Sequence, residues 1–244
     1  TKQKINESEI RRRLKLELII SEISNDFIHL KEEYLDLSVN RALAKIGNFA
    51  EVDRSYIFLF TEDELFCNNS YEWCNEGIEP QIENLQEIPV SILPWWMDKL
   101  NKYETIHIPL VSDLPPEAHS EKEILEAQDV KSLLVIPLVN SDGLIGFLGF
   151  DSVAHVKMWQ QEDILLLTML GEIIGNGFGR LRSEEQLIQL NTYLEQKVEE
   201  KTKDVINLLE LNRAIVDNVG LIVISTDPSG IIRSINPFAE KILG

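Results

Sequence analysis

The sequence predicts an α+β fold, in which an antiparallel β-sheet carries helices on both faces and a long helix follows it. The first indication is a β-hairpin within Lys131–Asp151, where the apolar runs Ser132–Val139 and Leu144–Phe150 flank a turn that ends in Gly143. Neither run alternates with polar residues, so both faces of this hairpin must be covered. Apolar residues at helical spacing before and after the hairpin predict the covering helices.

The composition predicts a globular chain of one or two domains. Its 244 residues suffice for a real core, and no apolar run approaches the ~20 residues of a membrane span. The formal net charge of −18 disfavours binding to nucleic acid or to an anionic membrane. The chain begins with Thr and not with Met, so we expect it to be part of a longer protein.

The cysteines Cys67 and Cys74 form neither a disulfide framework nor a CxxC metal motif, which is typical of a reduced, cytoplasmic protein. If both lie on one regular strand, their odd spacing points them to opposite faces.

Two helices are predicted before the first strand. Apolar residues recur at helical spacing over Asn6–Leu37 and again over Leu35–Phe49. The first pattern contains no Gly or Pro, and such a helix often enters a domain from an upstream neighbour. We therefore expect residues 1–22 to form an N-terminal signalling helix.

Tyr56–Phe60 and Leu65–Cys74 predict an antiparallel hairpin around a polar turn. Glu104–Leu110 predicts a strand at the sheet edge, because Pro109 lacks a backbone donor. Further helices are predicted over Ser91–Lys102, Glu117–Gln128 and Trp159–Arg180.

From Ser183 the pattern predicts a coiled-coil linker over residues 183–215. Apolar and Asn residues fall on alternating heptad positions, with Lys201 as an exception. These seam residues are Leu187, Asn191, Leu194, Val198, Val205, Leu208, Asn212 and Ile215. Asn in the a-type positions favours one register and a parallel homodimer, and the alternative is a lone solvated helix.

The segments SLLVIPLV, GLIGFLGFDSV and GEII resemble the C-terminal half of a GAF domain, the small sensory module of signalling proteins. RSYIF, YEWC and PWW are similar to one bacterial and archaeal branch of that family. The resemblance covers roughly residues 23–182. It implies a sheet of about five to six strands with helices on both faces, and ligand binding beneath the helices that lie between strands.

This resemblance implies a pocket between the sheet and the two short helices. Its candidate residues are Phe58, Trp73, Trp95, Trp96, His119, Phe147 and Gly149. Aromatic walls with a few polar groups suit a planar ligand. Two alternatives remain open: the aromatics fill the core of a ligand-free module, and the strand glycines Gly146 and Gly149 permit tight packing instead of ligand contact.

The ligands known for the family can be compared by motif. The Asn-Lys-x-Phe-Asp-Glu signature of cyclic-nucleotide-binding relatives is absent apart from Phe150-Asp151. Bilin-binding relatives attach the chromophore to a Cys where this chain has Ala118-His119-Ser120, so covalent bilin attachment is not expected. Haem bound through Cys67, Cys74 or His119 is a weaker option. The cofactor therefore stays unknown, and no metal site is predicted.

The last stretch, AIVDNVGLIVISTDPSGIIRSINPFAEKILG, resembles the opening of a PAS domain. It predicts strands over Leu221–Ser225 and Ile231–Ile235 and a helix after Asn236-Pro237. Some thirty residues cannot bury a core of their own. Residues 216–244 are therefore expected to be a truncated PAS segment.

Together these features predict the sensory GAF module, residues 23–182, of a multidomain cytoplasmic signal-transduction protein. The output domain would be a histidine kinase of a two-component system or a diguanylate cyclase, and no catalytic motif is found in the chain itself. The main alternative is a ligand-free dimerisation or scaffold module, which an open cavity near Trp96 and Phe147 would count against. A redox-active GAF domain would need cysteines, and the expected opposite orientation of Cys67 and Cys74 argues against it.

Overall fold

The structure is a computed structural model that describes the backbone of residues 2–243 and the side chains of residues 10–243. The chain divides into two compact units, the first ending at Ser183 and the second beginning at Glu184. The expectations for Thr1, in the N-terminal helix, and for Gly244, in the PAS segment, lie outside the described residues.

The first unit is built on an antiparallel sheet, which has six strands in the described part of the chain. This arrangement, with helices on both faces, confirms the predicted α+β fold. The spatial order is β3-β2-β1-β6-β5-β4. The strands are β1 Arg54–Phe60, β2 Phe66–Cys74, β3 Ile88–Pro89, β4 Ile106–Ile108, β5 Ser132–Asn140 and β6 Gly143–Ser152.

The predicted central hairpin is formed by β5 and β6, which lie inside the sheet. Asn140 pairs with Gly143 across the turn, and Gly143 adopts a φ of 124° that favours glycine. β1 pairs with the other edge of β6, whereas β4 pairs with β5 and ends the sheet. The edge position predicted for the Pro109 strand is therefore confirmed.

The sheet separates two apolar cores. The helices α1 Lys2–Ile28 and α2 Leu35–Ala50 and the first part of α5 Gln161–Asn218 pack on one face, where Leu134 and Ile136 of β5 are buried. The short helices α3 Pro94–Leu100 and α4 His119–Glu126 cover the other face, where Leu133 and Val135 are buried. Because both faces are covered, the hairpin carries no polar alternation.

α1 ends nine residues earlier than the sequence predicts, at Ile28 instead of Leu37. Nη2 of Arg180 donates hydrogen bonds to the carbonyl oxygens of Phe27 and Leu30 at 3.0 and 2.9 Å. Phe27 lies in the last turn of α1, where carbonyls lack intrahelical donors, and Leu30 lies just beyond the helix end. A tertiary contact from α5 therefore stabilises a helix end that has no Gly or Pro signal in the sequence.

α5 begins at Gln161 and continues without a break through the predicted linker. By length and composition this helix could cross a membrane. In the first unit, however, its residues Leu167, Leu170 and Ile174 are buried against the sheet. Packing in a protein core thus accounts for the apolar character of this part of the helix.

The second unit contains the remainder of α5, the hairpin β7 Ile224–Thr226 and β8 Ile232–Ile235, and helix α6 Pro237–Leu243. Asn236 organises the end of this unit. Its Oδ1 accepts hydrogen bonds from the N–H groups of Val223 and Ala239, and its Nδ2 donates to the carbonyls of Val216 and Leu221. Both strands are exposed at every residue.

Candidate functional site

A cavity lies between the sheet and the helices α3 and α4. Its volume is about 60 Å³, measured as the space open to the centres of water molecules, and about 570 Å³ when adjoining space up to open solvent is counted. The cavity therefore has room for several water molecules. It is lined by Arg54, Tyr56, Phe58, Glu72, Leu85, Ile88, Leu93, Trp96, Glu121, Ile124, Leu125, Gln128, Phe147 and Asp151.

Aromatic rings form part of the wall. Phe58 on β1 stacks on Phe147 on β6, with the ring centroids 4.8 Å apart. Tyr56 meets Phe58 edge to face at 5.6 Å, and Trp96 of α3 lies 6.0 Å from Phe147. The alternation of β1 and β6 places these sheet residues on one face.

A buried ion pair also borders the cavity. Arg54 and Asp151 are direct neighbours on β1 and β6 and are 2% and 3% exposed. Nε of Arg54 donates to Asp151 Oδ1 at 3.0 Å, while its Nη2 lies 2.9 Å from Oδ2 without hydrogen-bond alignment. Burial raises the pKa of Asp151 to about 6, against the lowering effect of Arg54. At neutral pH both groups are therefore charged.

Glu72 reaches the cavity because β2 contains a β-bulge. Ile57 pairs with Tyr71 and Phe58 pairs with Asn69, so Ser70 is an extra residue that reverses the alternation of the strand. Glu72 then stands opposite Tyr56, on the cavity side. Its Oε2 accepts hydrogen bonds from the N–H groups of residues 81 and 82 at 2.8 and 2.9 Å.

Glu121 connects the two cover helices. It lies on α4 and is 1% exposed, and its Oε1 accepts hydrogen bonds from the N–H groups of Trp95 and Trp96 at 2.9 and 3.1 Å. These groups belong to the first turn of α3, which has no side-chain cap of its own at Leu93. Oε2 of Glu121 is buried and has no hydrogen-bond partner among the described residues.

The seven candidate pocket residues have different locations. Phe58, Trp96 and Phe147 line the cavity. Gly149 lies on the cavity side, but the Tyr56 ring occupies the space where its Cβ would be. Trp95 is half-buried outside the lining, beneath Nζ of Lys99 at 5.0 Å from the ring centroid.

The other two candidates lie away from the cavity. The bulge places Trp73 on the opposite face, where it packs against Gly47 of α2. The side chain of His119 is 75% exposed and lies 3.3 Å from Glu123. Sequence reasoning missed Arg54, Glu72, Glu121 and Asp151 as lining residues.

The expected opposite orientation of Cys67 and Cys74 is wrong, because the β-bulge at Ser70 lies between them. Both lie on the cavity side, since Cys67 pairs with Phe60 and Cys74 pairs with Arg54. They are nevertheless roughly 20 Å apart along the strand, too far for a disulfide. Burial raises the pKa of Cys67 to about 11 and that of Cys74 to about 12.

A second hollow of about 330 Å³ lies near the β1–β2 turn. Every residue that lines it is exposed or only half-buried, so it is a surface depression. Its lining residues are Phe60, Glu64, Val90, Met97, Asn101, Tyr103 and Leu144.

The sheet thus carries a helical core on one face and a small cavity with polar and aromatic walls on the other. The family model for the GAF domain matches residues 35–178. The chain therefore belongs to the GAF domain family, as its sequence motifs predict.

Two curated relatives are histidine kinases. The methanogenesis regulatory histidine kinase FilI of Methanothrix harundinacea is 32% identical over 174 residues, which cover 68% of this chain and 19% of that protein. The circadian input-output histidine kinase CikA of Thermosynechococcus vestitus is 26% identical over 186 residues, which cover 70% of this chain and 24% of that protein. The chain thus spans about a fifth to a quarter of the length of these relatives.

Solved structures with the same fold include the phycoerythrobilin-bound GAF domain of a cyanobacterial phytochrome, with a TM-score of 0.60 and 19% identity. That match covers 70% of this chain and 97% of the other. The chromophore-binding domain of a bacteriophytochrome from R. palustris has a TM-score of 0.59 and 14% identity, covering 72% and 64% of the two chains. At these identities the likeness shows the fold alone.

Proposed function

We propose that this chain is the sensory part of a cytoplasmic histidine kinase or a related two-component protein, and that its GAF domain binds a small ligand. The observation that carries the proposal is the cavity beneath α3 and α4, whose lining combines aromatic rings with side chains whose buried polar atoms have no hydrogen-bond partner among the described residues. Ligand sites combine an apolar wall with a few placed polar groups in this way. The kinship with two histidine kinases supports an output domain of that class.

The proposed mechanism is a change in helix packing. Ligand binding would shift α3 and α4 relative to the sheet, and α5, which packs on the opposite face, would change its angle or register. A dimeric coiled coil in the second part of α5 would carry that change to the PAS segment and the output domain. In this proposal the chain itself has no catalytic role, in keeping with a sensory family.

The alternative of a ligand-free scaffold is weakened by the cavity, because saturated packing around Trp96 and Phe147 would leave no such space. A covalent bilin is not supported, because Ala118-His119-Ser120 offers no cysteine. A redox-active site is not supported either, because burial raises the pKa of both thiols.

The test is native mass spectrometry of the protein purified from cells, with an absorption spectrum of the same sample. We expect a bound small molecule on each chain. The variant Ile124→Phe fills the cavity and should lose that mass, whereas Ile92→Phe, at a residue outside the lining, should keep it. A wild-type chain of bare mass, unchanged by incubation with a cell extract, would contradict ligand binding.

A further inference from the structure

One residue that lines the cavity, Glu121, has a buried carboxylate oxygen without a hydrogen-bond donor among the described residues. Glu121 is 1% exposed, and its Oε1 is already engaged by the N–H groups of Trp95 and Trp96. Its Oε2 is buried and has no partner among the described residues. A buried acceptor without a donor carries a desolvation cost that a ligand N–H group would relieve.

The charges of the residues that line the cavity determine which sign of ligand charge is favoured. Arg54 contributes one positive charge, and Glu72, Glu121 and Asp151 contribute three negative charges, for a formal sum of −2. Asp151 already pairs with Arg54, so the guanidinium does not offer an uncompensated positive charge to an anion. A cation is attracted to this lining, whereas an anion is repelled by it.

The aromatic wall of the cavity also favours a cation. Tyr56, Phe58, Trp96 and Phe147 supply π-systems, which attract cations more strongly when water is excluded. The cavity is small, so the ligand is a small molecule. Among the described residues, Nε1 of Trp96 and Nη2 of Arg54 are buried donors without a hydrogen-bond partner, and a hydroxyl group on the ligand could accept from the Trp96 indole.

We propose that the ligand is a small organic cation with an N–H group, such as a protonated amine or amino alcohol, and that Glu121 binds its nitrogen. This inference rests on the proposed sensory function and names the chemical class of the ligand. Because Glu121 also holds the first turn of α3, a cation at Oε2 would act on the contact between the two cover helices.

The test uses four probes of similar size at constant ionic strength: ethanolamine as the cation, ethylene glycol as the neutral analogue, glycolate as the anion and glycine as the zwitterion. Each is titrated to about 20 mM, a range suited to the weak binding of very small ligands. The readout is the indole N–H resonance of Trp96 in ¹⁵N-labelled wild-type protein. We expect ethanolamine to bind at least about tenfold more tightly than the other three.

Glu121→Gln removes the charge while it keeps the shape of the side chain. We expect this variant to lose at least about tenfold in affinity for ethanolamine. Glu123→Gln removes the same charge from an exposed position of α4 and should change the affinity by less than about twofold. Circular dichroism and unliganded melting temperatures check that both variants fold, and the probe series in the wild type does not depend on them.

Three outcomes would overturn the cation assignment: tighter binding of a neutral, anionic or zwitterionic probe, unchanged affinity in Glu121→Gln, or no response to any probe. Ligand sensing is judged separately by native mass spectrometry. If that experiment found a neutral or anionic bound molecule, it would support the sensory function and contradict the cation assignment. A chain without any bound molecule would contradict both.

Discussion

Arg54 and Asp151 form an ion pair that is almost completely buried at the edge of the cavity. Removing one member of such a pair leaves an uncompensated charge, at a cost of about 3–5 kcal/mol. We expect Arg54→Met to lower the free energy of unfolding by about that amount at pH 8, as measured by urea denaturation. Arg41→Met is the matched control, because Arg41 is 61% exposed, and it should cost less than about 1 kcal/mol.

The cost of Arg54→Met should depend on pH. Burial raises the folded-state pKa of Asp151 to about 6, and loss of Arg54 removes a group that lowers it. A carboxyl with a raised folded-state pKa contributes stability that is present at low pH and lost as pH rises through that pKa. The difference from wild type should therefore widen between pH 5 and pH 8. A constant or narrowing difference would show that Asp151 does not become an unpaired buried charge.

The two cysteines should be unreactive in the folded protein. Burial raises the pKa of Cys67 to about 11 and that of Cys74 to about 12, so the thiolate form is scarce at pH 8. We expect labelling by a disulfide reagent at pH 8 to be more than about 100-fold slower than in urea-unfolded protein, as followed by absorbance and mass spectrometry. Comparable labelling rates in the folded and the unfolded protein would indicate an activated thiol and would favour a redox function.

The positions of some residues of the site could be predicted from the sequence, and those of others could not. The aromatic residues Phe58, Trp96 and Phe147 could be predicted from motif and position, because they occupy apolar strands and a cover helix. Trp73 could not be placed correctly, because the extra residue Ser70 reverses the face of every later residue on β2 and carries no distinctive signal. Glu121 was missed for another reason: its role depends on the uncapped first turn of α3, which is distant in sequence.

At the level of elements, glycines let α5 lie directly on β5. A Cβ on Gly175 would lie 2.5 Å from the carbonyl oxygen of Val139, a backbone atom that cannot turn aside. Gly175→Ala gains about 1 kcal/mol in helix propensity but forces α5 away from the sheet, which costs about 1–3 kcal/mol. We expect a net loss in the free energy of unfolding, measured by urea denaturation.

Asn176→Ala is the control for this substitution, because Asn176 is the exposed neighbour on the same helix. It should gain a few tenths of a kcal/mol from helix propensity alone. If Gly175→Ala proved as stable as Asn176→Ala, that result would contradict the close approach of α5 to β5 at Gly175.

The elements themselves were largely predictable, because patterns of apolar residues report burial. The central hairpin between Ser132 and Ser152 is apolar on both faces and lies inside the sheet. The end of α1 at Ile28 was not predictable, because Arg180 stabilises it from α5. Helix ends set by a distant side chain leave no local trace in the sequence.

At the scale of the whole molecule, the exposed seam of α5 is the feature that concerns assembly. Along the second unit the apolar seam residues are all exposed in the single chain; they are Leu187, Leu194, Val198, Val205, Leu208 and Ile215. An isolated helix with exposed apolar side chains at heptad spacing gains stability when a second copy covers them. The parallel homodimer stays a prediction of the sequence, and it calls for a direct measurement.

We expect the protein to sediment as a dimer at micromolar concentration, with about twice the mass of the 28.0 kDa chain. Leu194→Glu places a charge in the seam and should shift the equilibrium to monomer by at least about tenfold in the dissociation constant, because burying an unpaired carboxylate in the interface is costly. Tyr193→Glu introduces the same charge at an exposed position off the seam and should leave the dimer intact. Analytical ultracentrifugation distinguishes the two cases. A monomeric wild type, or equal dissociation of both variants, would contradict a seam centred on Leu194 and with it the proposed relay through a dimeric helix.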